Sequence, residues 1–304
     1  MFSRKQRDVS GTTLPPIAIV GGGLGGLVLA RILQIKNIDV ALYERDQTRD
    51  ARDQGGSLDI HADSGQVALR EAGLEAQFRS VVRPGGQDLR VLDKTGVVYL
   101  DEVEGEGEMG RPELLQLVGR GSMFALADNK GFLTHVTADG RIHVYVAFRV
   151  AEDWLSTSGI PFEKPAEARA EILAHFTDWS PGLTALVREC GDPIFPRRLY
   201  LLPIEHRWQP RSGITLLGDA AHLMSPFAGE GANLAMLDAA ELALALAETG
   251  DVDEAIRRYE APMFERAHAM ARESKANMEL CISVDGARRL ADLMASFRQQ
   301  NGTP

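Results

Sequence analysis

The residues best suited to chemistry are three glycines near the N-terminus. Gly21, Gly23 and Gly26 have the G-x-G-x-x-G spacing and directly follow the apolar run 17–20. Between a strand and a helix, the first glycine permits the tight turn and the second lets a pyrophosphate approach the backbone, while the third lets the helix pack on the strand. The N–H groups at the helix start would hold the phosphates. This stretch therefore predicts a dinucleotide-binding turn.

A carboxylate follows the next apolar run. The run 39–43 predicts a second strand and ends on Glu44, close to where the acidic ribose ligand belongs. A carboxylate there accepts hydrogen bonds from ribose hydroxyls and repels a 2′-phosphate, and both FAD and NAD satisfy this pattern. The alternative is a structural glycine turn with an ordinary surface Glu. Arg45 and Arg52, in the polar loop beyond, are candidates for a cofactor phosphate or ribose, with solvated arginines as the alternative.

A second motif lies late in the chain. The apolar run Ile214-Thr215-Leu216-Leu217 predicts a short buried strand, which leads into Gly218-Asp219-Ala220-Ala221-His222. The glycine-containing segment from Pro226 to Asn233 follows, and a long helix of alanine and leucine continues from it to about Gly250. This motif is long and therefore more specific than the first.

Together the two motifs resemble the class A flavin monooxygenases of the aromatic-hydroxylase type. The resemblance covers the chain from residue 15 to about 280, apart from one gap. Tyr43-Glu44-Arg45-Asp46 and Gly55-Gly56-Ser57-Leu58-Asp59-Ile60-His61 look most like the tetracycline-inactivating branch. The resemblance implies bound FAD, with NADPH and O2 as co-substrates and an aromatic or polyketide-like small molecule as substrate. It also implies that the flavin carries the oxygen-transfer chemistry, so the catalytic residues stay unknown.

The resemblance also assigns roles to individual positions. Asp219 matches the Asp that hydrogen-bonds a hydroxyl of the flavin ribityl chain, with a plain helix N-cap as the alternative. The late turn would bring a helix N-terminus toward the pyrimidine edge of the flavin. Its candidate contacts are Pro226, Gly229, Gly231, Ala232 and Asn233. Asp59 resembles a flavin contact and Arg52 a residue placed to meet NADPH, whereas His222 is expected to belong to the structural turn.

One segment of the family pattern is not found. Family members carry, between the region of Arg111-Pro112-Glu113-Leu114 and the central sheet, an Arg-containing helix that touches the flavin and strands that end in a D-G motif. On the order of seventy residues are expected to be missing, about a fifth of an ordinary two-domain chain. Their loss would expose a sheet edge or an apolar patch. Arg120 is a substrate-contact candidate only by nearness, with a surface arginine as the alternative.

These observations predict an α/β fold with a Rossmann-like FAD-binding domain, a second α+β substrate domain built on an antiparallel sheet, and a C-terminal helix. The expected boundaries are 1–113 and 205–272 for the two parts of the FAD-binding domain, 114–204 for the substrate domain, and 273–304 for the C-terminal helix. The patterning predicts helices over 64–75, 165–176, 181–189, 252–278 and 287–299, a hairpin over 88–99, and strands at 114–118, 123–127, 132–136 and 141–150.

Composition narrows the kinds of partner. With 33 Lys and Arg against 43 Asp and Glu, the net charge of −10 indicates neither a nucleic-acid face nor an anionic membrane surface. Cys190 and Cys281 are too few and too far apart for a disulfide framework or a metal knuckle, so we expect buried spectators and no metal. Residues 1–15 have no apolar signal-peptide core, and we expect a soluble, cytoplasmic protein. Nothing in the sequence indicates an oligomeric state.

Two alternatives from other functional classes stay open. The first is a non-catalytic flavin-binding remnant, which the missing segment favours. The second is an NAD-linked dehydrogenase that uses only the first motif. The late motif argues against the dehydrogenase, because such an enzyme has no need of a ribityl-binding Asp late in the chain.

Overall fold

The computed structural model describes residues 16–48, 51, 58–83, 86, 88–102 and 113–301. These residues fall into two compact units. Unit 1 lies within Met1–Gln54, Leu58–Val82 and Leu199–Ala276, and unit 2 lies within Gly55–Ser57, Arg83–Arg198 and Asn277–Pro304.

In chain order, the described elements are β1 (Ile17–Val20), α1 (Leu24–Ile35), β2 (Val40–Tyr43), α2 (Gly65–Glu71), α3 (Glu75–Val81), β3 (Leu89–Asp93), β4 (Val98–Glu102), α4 (Glu113–Val118), β5 (Ser122–Ala127), β6 (Lys130–Val136), β7 (Ile142–Phe148), α5 (Trp154–Thr157), α6 (Pro165–Ala174), α7 (Pro181–Arg188), α8 (Asp219–His222), a 3-10 turn (Pro226–Ala228), α9 (Gly231–Thr249), α10 (Val252–Cys281) and α11 (Gly286–Asn301). None of these helices combines the length and apolar character needed to cross a membrane.

Unit 1 opens with the predicted strand, turn, helix and strand. β1 and β2 pair in parallel, from Ile17 opposite Val40 to Val20 opposite Tyr43, and α1 connects them. The predicted strand at 214–217 is wrong: the segment makes only an isolated bridge, between Arg211 and Ile214. In the described residues it pairs with no strand, and the sheet of unit 1 consists of β1 and β2.

The core of unit 1 forms where α1 meets α9. Ile32 and Leu33 of α1 are fully buried, as are the small residues Ala239 and Ala243 of α9. Small side chains allow two helices to approach closely, and a Cβ at Gly25 would lie 2.8 Å from the carbonyl oxygen of Ala235. The small alanine side chains of α9 therefore allow it to pack closely on α1, the helix that follows the glycine turn.

Unit 2 contains the second sheet, whose strand order is β4-β3-β5-β6-β7. The predicted hairpin over 88–99 is confirmed as β3–β4, and the predicted strands at 132–136 and 141–150 pair as the antiparallel hairpin β6–β7. Within this sheet only the β3–β5 pair is parallel. β3 and β4 fall within the range 1–113 expected for the first part of the FAD-binding domain, and they lie in this sheet of unit 2. The full set of predicted domain boundaries stays a prediction.

An aromatic cluster fills the core of unit 2. The ring centroid of Phe132 on β6 lies 4.4 Å from that of Phe176 and 4.8 Å from that of Trp179. The predicted helices at 165–176 and 181–189 are confirmed as α6 and α7, and they pack their apolar faces into this cluster. The second sheet and its helices therefore have a core of their own.

Two other sequence predictions need correction. The predicted strand at 114–118 is α4, because Leu114, Leu115 and Val118 share one helix face that packs into the core, and so short an apolar run does not distinguish strand from helix. The predicted helix over 64–75 ends early, at Glu71, as α2, and α3 starts at Glu75 as a separate helix. Gly73, with φ of +65°, lies between them in a left-handed conformation that ends the first helix.

The C-terminal helices are confirmed, with details that the sequence did not predict. Asp251 Oδ1 accepts hydrogen bonds from the N–H groups of Asp253 and Glu254 at 2.9 and 3.1 Å, and so caps α10. The carboxylate of Glu254 bonds Arg257 and Arg258 instead of completing a capping box. Cys281, at the end of α10, is buried, which raises the pKa of its thiol to about 12, whereas Cys190 is half-buried.

Candidate cofactor site

The glycine turn has the geometry that its spacing predicts. Gly21 has φ of +113°, a left-handed value that favours glycine, and a Cβ at Gly26 would lie 2.1 Å from the carbonyl oxygen of Gly21. A Cβ at Gly23, by contrast, would meet no heavy atom within 4 Å. The first and third glycines are therefore required by the protein's own backbone, while the second faces open space that a ligand can enter.

Glu44 lies against this turn. The N–H of Gly22 donates to Glu44 Oε2 at 2.5 Å, and the N–H of Asp46 donates to Oε1 at 2.8 Å. The carboxylate is thereby fixed at the end of β2, beside the turn. The side chain of Arg45 is 87% exposed, with its Nε 3.9 Å from Asp46 Oδ1. Arg52 lies outside the described residues.

The start of α1 has no side-chain cap. Its N-cap residue is Gly23, and its first turn contains no acidic residue. The first N–H groups of a helix lack intrahelical partners, and the helix dipole favours negative charge at this end. An uncapped helix start beside an open glycine turn fits the pyrophosphate of a dinucleotide.

The late motif places Asp219 on the first residue of the four-residue helix α8. The N-cap of this helix is Gly218, with φ of 59° and ψ of −140°, so Asp219 is not the N-cap that the alternative interpretation required. The Asp219 side chain is exposed and has no hydrogen-bond partner among the described residues. An exposed carboxylate that makes no bond within the described residues suits a polyol ligand such as a ribityl chain.

The turn from Pro226 to Asn233 is fastened to the segment that contains Asp59. The fully buried Asn233 side chain donates to the carbonyl oxygens of Asp59 at 2.9 Å and Gly229 at 3.1 Å, and accepts from the N–H of His61 at 2.9 Å. Gly229 has φ of +68°, and α9 begins two residues later, at Gly231. Asn233 therefore uses its amide to join two backbone segments.

His61 and Glu230 were not predicted as a pair. His61 Nδ1 lies 2.8 Å from Glu230 Oε1, and His61 Nε2 lies 3.5 Å from Asp59 Oδ2. Burial lowers the pKa of His61, but its hydrogen bond with Glu230 and the charges of Glu230, Asp59 and Asp63 outweigh this, and the pKa is raised overall. The only sequence signal was that His61 and Glu230 each lie inside a motif.

A buried network holds the other end of the late motif. His222 Nε2 lies 2.6 Å from Asp238 Oδ2, and Asp238 Oδ1 accepts from Arg266 Nη2 at 3.1 Å. His222 is thus fastened within the turn, as the resemblance implied. In unit 2, Arg120 Nε donates to the buried carboxylate of Asp88 at 3.0 Å, which favours a structural role over a substrate contact.

Two parts of the chain match known protein families. Residues 206–274 match the FAD binding domain, and residues 19–55 match the NAD(P)-binding Rossmann-like domain. The two matched regions contain Glu44 and Asp219. FAD binding is thus supported by sequence and by the geometry of both turns.

Relatives of this chain are flavoprotein monooxygenases. The chain is 34% identical over 118 residues to an FAD-dependent urate hydroxylase of Mycolicibacterium vanbaalenii, an alignment that covers 38% of this chain and 29% of the relative. It is 27% identical over 265 residues to the FAD-dependent monooxygenase notI' of Aspergillus versicolor, covering 83% of this chain and 59% of the relative. The chain thus spans less than two thirds of the length of these relatives.

Solved structures share the fold. The Klebsiella pneumoniae HpxO complex with FAD and uric acid has a TM-score of 0.64 at 15% identity, over 94% of this chain and 92% of that one. A salicylate hydroxylase substrate complex has a TM-score of 0.63 at 16% identity, over 95% of both chains. The predicted α/β fold with a Rossmann-like domain is therefore confirmed, and it is the fold of FAD-dependent hydroxylases.

Proposed function

We propose that this protein is an FAD-dependent monooxygenase that uses NADPH and O2 to hydroxylate an aromatic or polyketide-like small molecule. The observation that carries the proposal is a pair of turns in unit 1, the glycine turn and the turn that contains Asp219. The first combines an uncapped helix start with Glu44, and the second presents Asp219, whose side chain bonds no other residue in the part of the chain that the structure describes. A dehydrogenase that binds only a nicotinamide dinucleotide would need the first turn alone.

Each turn would hold a different part of FAD. Glu44 would accept hydrogen bonds from the adenosine ribose, and the turn Gly21 to Gly26 would bind the pyrophosphate. Asp219 would bind a ribityl hydroxyl, and the start of α9 would provide N–H groups and a positive dipole end where negative charge develops on reduction. The chemistry that FAD supplies when bound is redox: two electrons come from NADPH, and of the two oxygen atoms of O2 one enters the substrate and one leaves in water.

The names of the relatives support the choice of substrate class. A urate hydroxylase, a 6-hydroxynicotinate 3-monooxygenase of Bordetella bronchiseptica and a salicylate hydroxylase are all named for small ring compounds. The finer placement in the tetracycline-inactivating branch rests on the resemblance of residues 43–46 and 55–61, and it adds tetracycline-type polyketides to the substrates to be screened. The choice of NADPH over NADH and the missing segment of about seventy residues rest on the same resemblance.

One observation favours a second candidate function, a non-catalytic flavin-binding protein. The sheet of unit 1 has two strands in the described residues, and Val20 of β1 is 88% exposed. A reduced sheet can still present both turns and bind FAD. It could, however, lack the enclosure that keeps water from the reacting flavin.

An absorbance spectrum before and after anaerobic NADPH tests the proposal. We expect flavin bands that bleach on NADPH. Asp219→Asn should weaken FAD affinity about tenfold or more, because a hydrogen bond to a charged acceptor contributes about 1.5–3 kcal/mol. The matched control, Glu248→Gln, changes an exposed carboxylate on α9 and should leave the affinity unchanged.

Two other outcomes would contradict the proposal in different ways. A colourless protein that takes up no added FAD would rule out both flavin-binding functions. A yellow protein whose bands NADPH and NADH both fail to bleach would favour the non-catalytic alternative.

A further inference from the structure

The segment that leads to Asp219 is held by side chains instead of a strand ladder. The hydroxyl of Tyr259 donates to the carbonyl oxygen of Leu216 at 2.9 Å, and the hydroxyl of Thr215 donates to Glu260 Oε1 at 2.7 Å. Both partners lie on α10. Because 214–217 forms no strand ladder among the described residues, such individual bonds hold the turn that follows it.

Asp238 on α9 bonds the residue that directly precedes Asp219. Its fully buried carboxylate accepts the Gly218 N–H on Oδ2 at 3.0 Å, and the same oxygen lies 2.6 Å from His222 Nε2. Gly218 directly precedes α8, and His222 is the last residue of α8. A helix of four residues has too few internal hydrogen bonds to hold its own orientation, so this carboxylate fixes it from both ends.

Arg266 completes the arrangement from α10. Its guanidinium donates to Asp238 Oδ1 at 3.1 Å and makes two bonds to Glu241, at 2.9 and 2.8 Å. A buried carboxylate is destabilising unless a positive charge and hydrogen bonds compensate for its lost hydration. Asp238 therefore needs both of its oxygens as acceptors, one for the turn and one for Arg266.

We infer that Asp238 is a positioning residue for the flavin ribityl contact, which it supports by holding Gly218 and His222 so that Asp219 stays in place. The inference rests on the proposed function and deepens it. It assigns the role to a residue on α9, nineteen positions beyond Asp219 in sequence, that has no exposed surface with which to contact a ligand itself.

An amide cannot replace this carboxylate. Asparagine has one acceptor oxygen, whereas Asp238 uses two, so in Asp238→Asn the NH2 group would face either the donors of the turn or the guanidinium. We expect FAD affinity to fall about tenfold or more. Glu241→Gln is the matched control, because Glu241 bonds the same Arg266 but not the turn, and it should change the affinity by less than about threefold.

The test is a double-mutant cycle in the full-length chain, with FAD affinity measured by quenching of flavin fluorescence. If Asp238 acts through Asp219, Asp238→Asn will weaken FAD binding much less in the Asp219→Asn background than in the wild type. Equal fold-losses in both backgrounds, or no loss in either, would overturn the inference. A purely structural role gives equal losses, so the cycle separates the two explanations.

A second pair of variants guards against a failure of Asp238→Asn to fold. His222→Gln keeps an N–H donor toward Asp238 and should retain most of the affinity, whereas His222→Leu should lose it, with the same dependence on Asp219. Loss of affinity in both variants to the same extent would contradict the inference.

Failure of the proposed function would be recognised separately. If the wild-type protein binds no FAD, that function fails. Amide hydrogen exchange at Gly218 and His222 then tests whether Asp238 keeps this turn in place. Exchange must be faster in Asp238→Asn than in Glu241→Gln, and equal rates would show that Asp238 does not hold the turn.

Discussion

The protonation state of the His61 side chain affects how tightly the late turn is held. Its imidazole lies between the carboxylates of Glu230 and Asp59, while its backbone N–H donates to Asn233. The protonated ring binds both carboxylates, whereas the neutral ring can donate only one of its two possible hydrogen bonds. Protonation of His61 therefore tightens the link between residues 59–61 and the start of α9.

This link predicts a pH dependence of stability. The pKa of His61 is raised above its ordinary value of 6.5, so the folded state binds the proton more tightly than the unfolded chain does. The resulting stabilisation is fully present below about pH 6.5 and is lost as the pH rises through the folded-state pKa. His61→Gln removes it.

The measurement is the midpoint of thermal unfolding between pH 6 and pH 9. The difference between wild type and His61→Gln should be largest at pH 6 and should shrink toward pH 9. Glu230→Gln, which removes the main partner, should flatten the wild-type profile in the same way. A difference that stays constant over this range would contradict the assignment.

At the scale of elements, the sequence predicted what local patterns determine. The turn Gly21 to Gly26 and the hairpin over 88–99 follow from glycine positions and alternation, and both are confirmed. The errors at 114–118 and 214–217 have another cause. Whether a short apolar run becomes a strand or a helix depends on its contacts in the folded protein. The sequence alone shows neither that one face of α4 packs into the core nor that 214–217 pairs with no strand.

The same limit applies to the candidate site. Asp219 and Glu44 could be predicted because a motif fixes their places, whereas Asp238 and Arg266 could not. These two lie on α9 and α10, in helices whose amphipathic patterns do not indicate which buried polar residues meet. Positions that support a site from a distant part of the chain need the tertiary structure to be found.

The cap of α10 gives a prediction for an element. Asp251→Ala removes two hydrogen bonds to the first N–H groups of the helix, and we expect the free energy of unfolding to fall by about 1 kcal/mol. Asp251→Asn keeps the accepting oxygen and should cost only a few tenths of that amount, roughly 0.3 kcal/mol. Urea unfolding of the three proteins measures both differences.

Glu254→Ala distinguishes the observed cap from a reciprocal capping box, in which the Glu254 carboxylate would accept the Asp251 N–H. The Glu254 carboxylate bonds the exposed side chains of Arg257 and Arg258, and such surface pairs contribute little. Its loss should therefore change the stability less than Asp251→Ala does. If Glu254→Ala were as destabilising as Asp251→Ala, the reciprocal capping box would be the better description in solution.

At the scale of the whole molecule, the unusual feature is the apolar surface of unit 1. Val20, Tyr43, Ile214 and Leu216 are all exposed, although they lie on β1, on β2 and in the segment that was predicted to be a buried strand. A parallel sheet is normally covered on both faces and flanked by further strands. An open edge or apolar patch is what the loss of a segment would leave, and the missing segment itself stays a prediction.

Substitutions at this surface test whether it is open in solution. Val20→Thr keeps a β-branched side chain, and because Val20 is 88% exposed the loss of its methyl should change the free energy of unfolding by less than about 0.5 kcal/mol. Ile214→Thr should behave alike. The reference is Ile32→Ala, which removes a fully buried side chain and should cost about 2–5 kcal/mol. If Val20→Thr instead approached that loss, the edge of β1 would be covered in solution, either by another chain or by another segment of the same chain. Coverage by another chain would make the destabilisation depend on protein concentration, whereas coverage by the same chain would not.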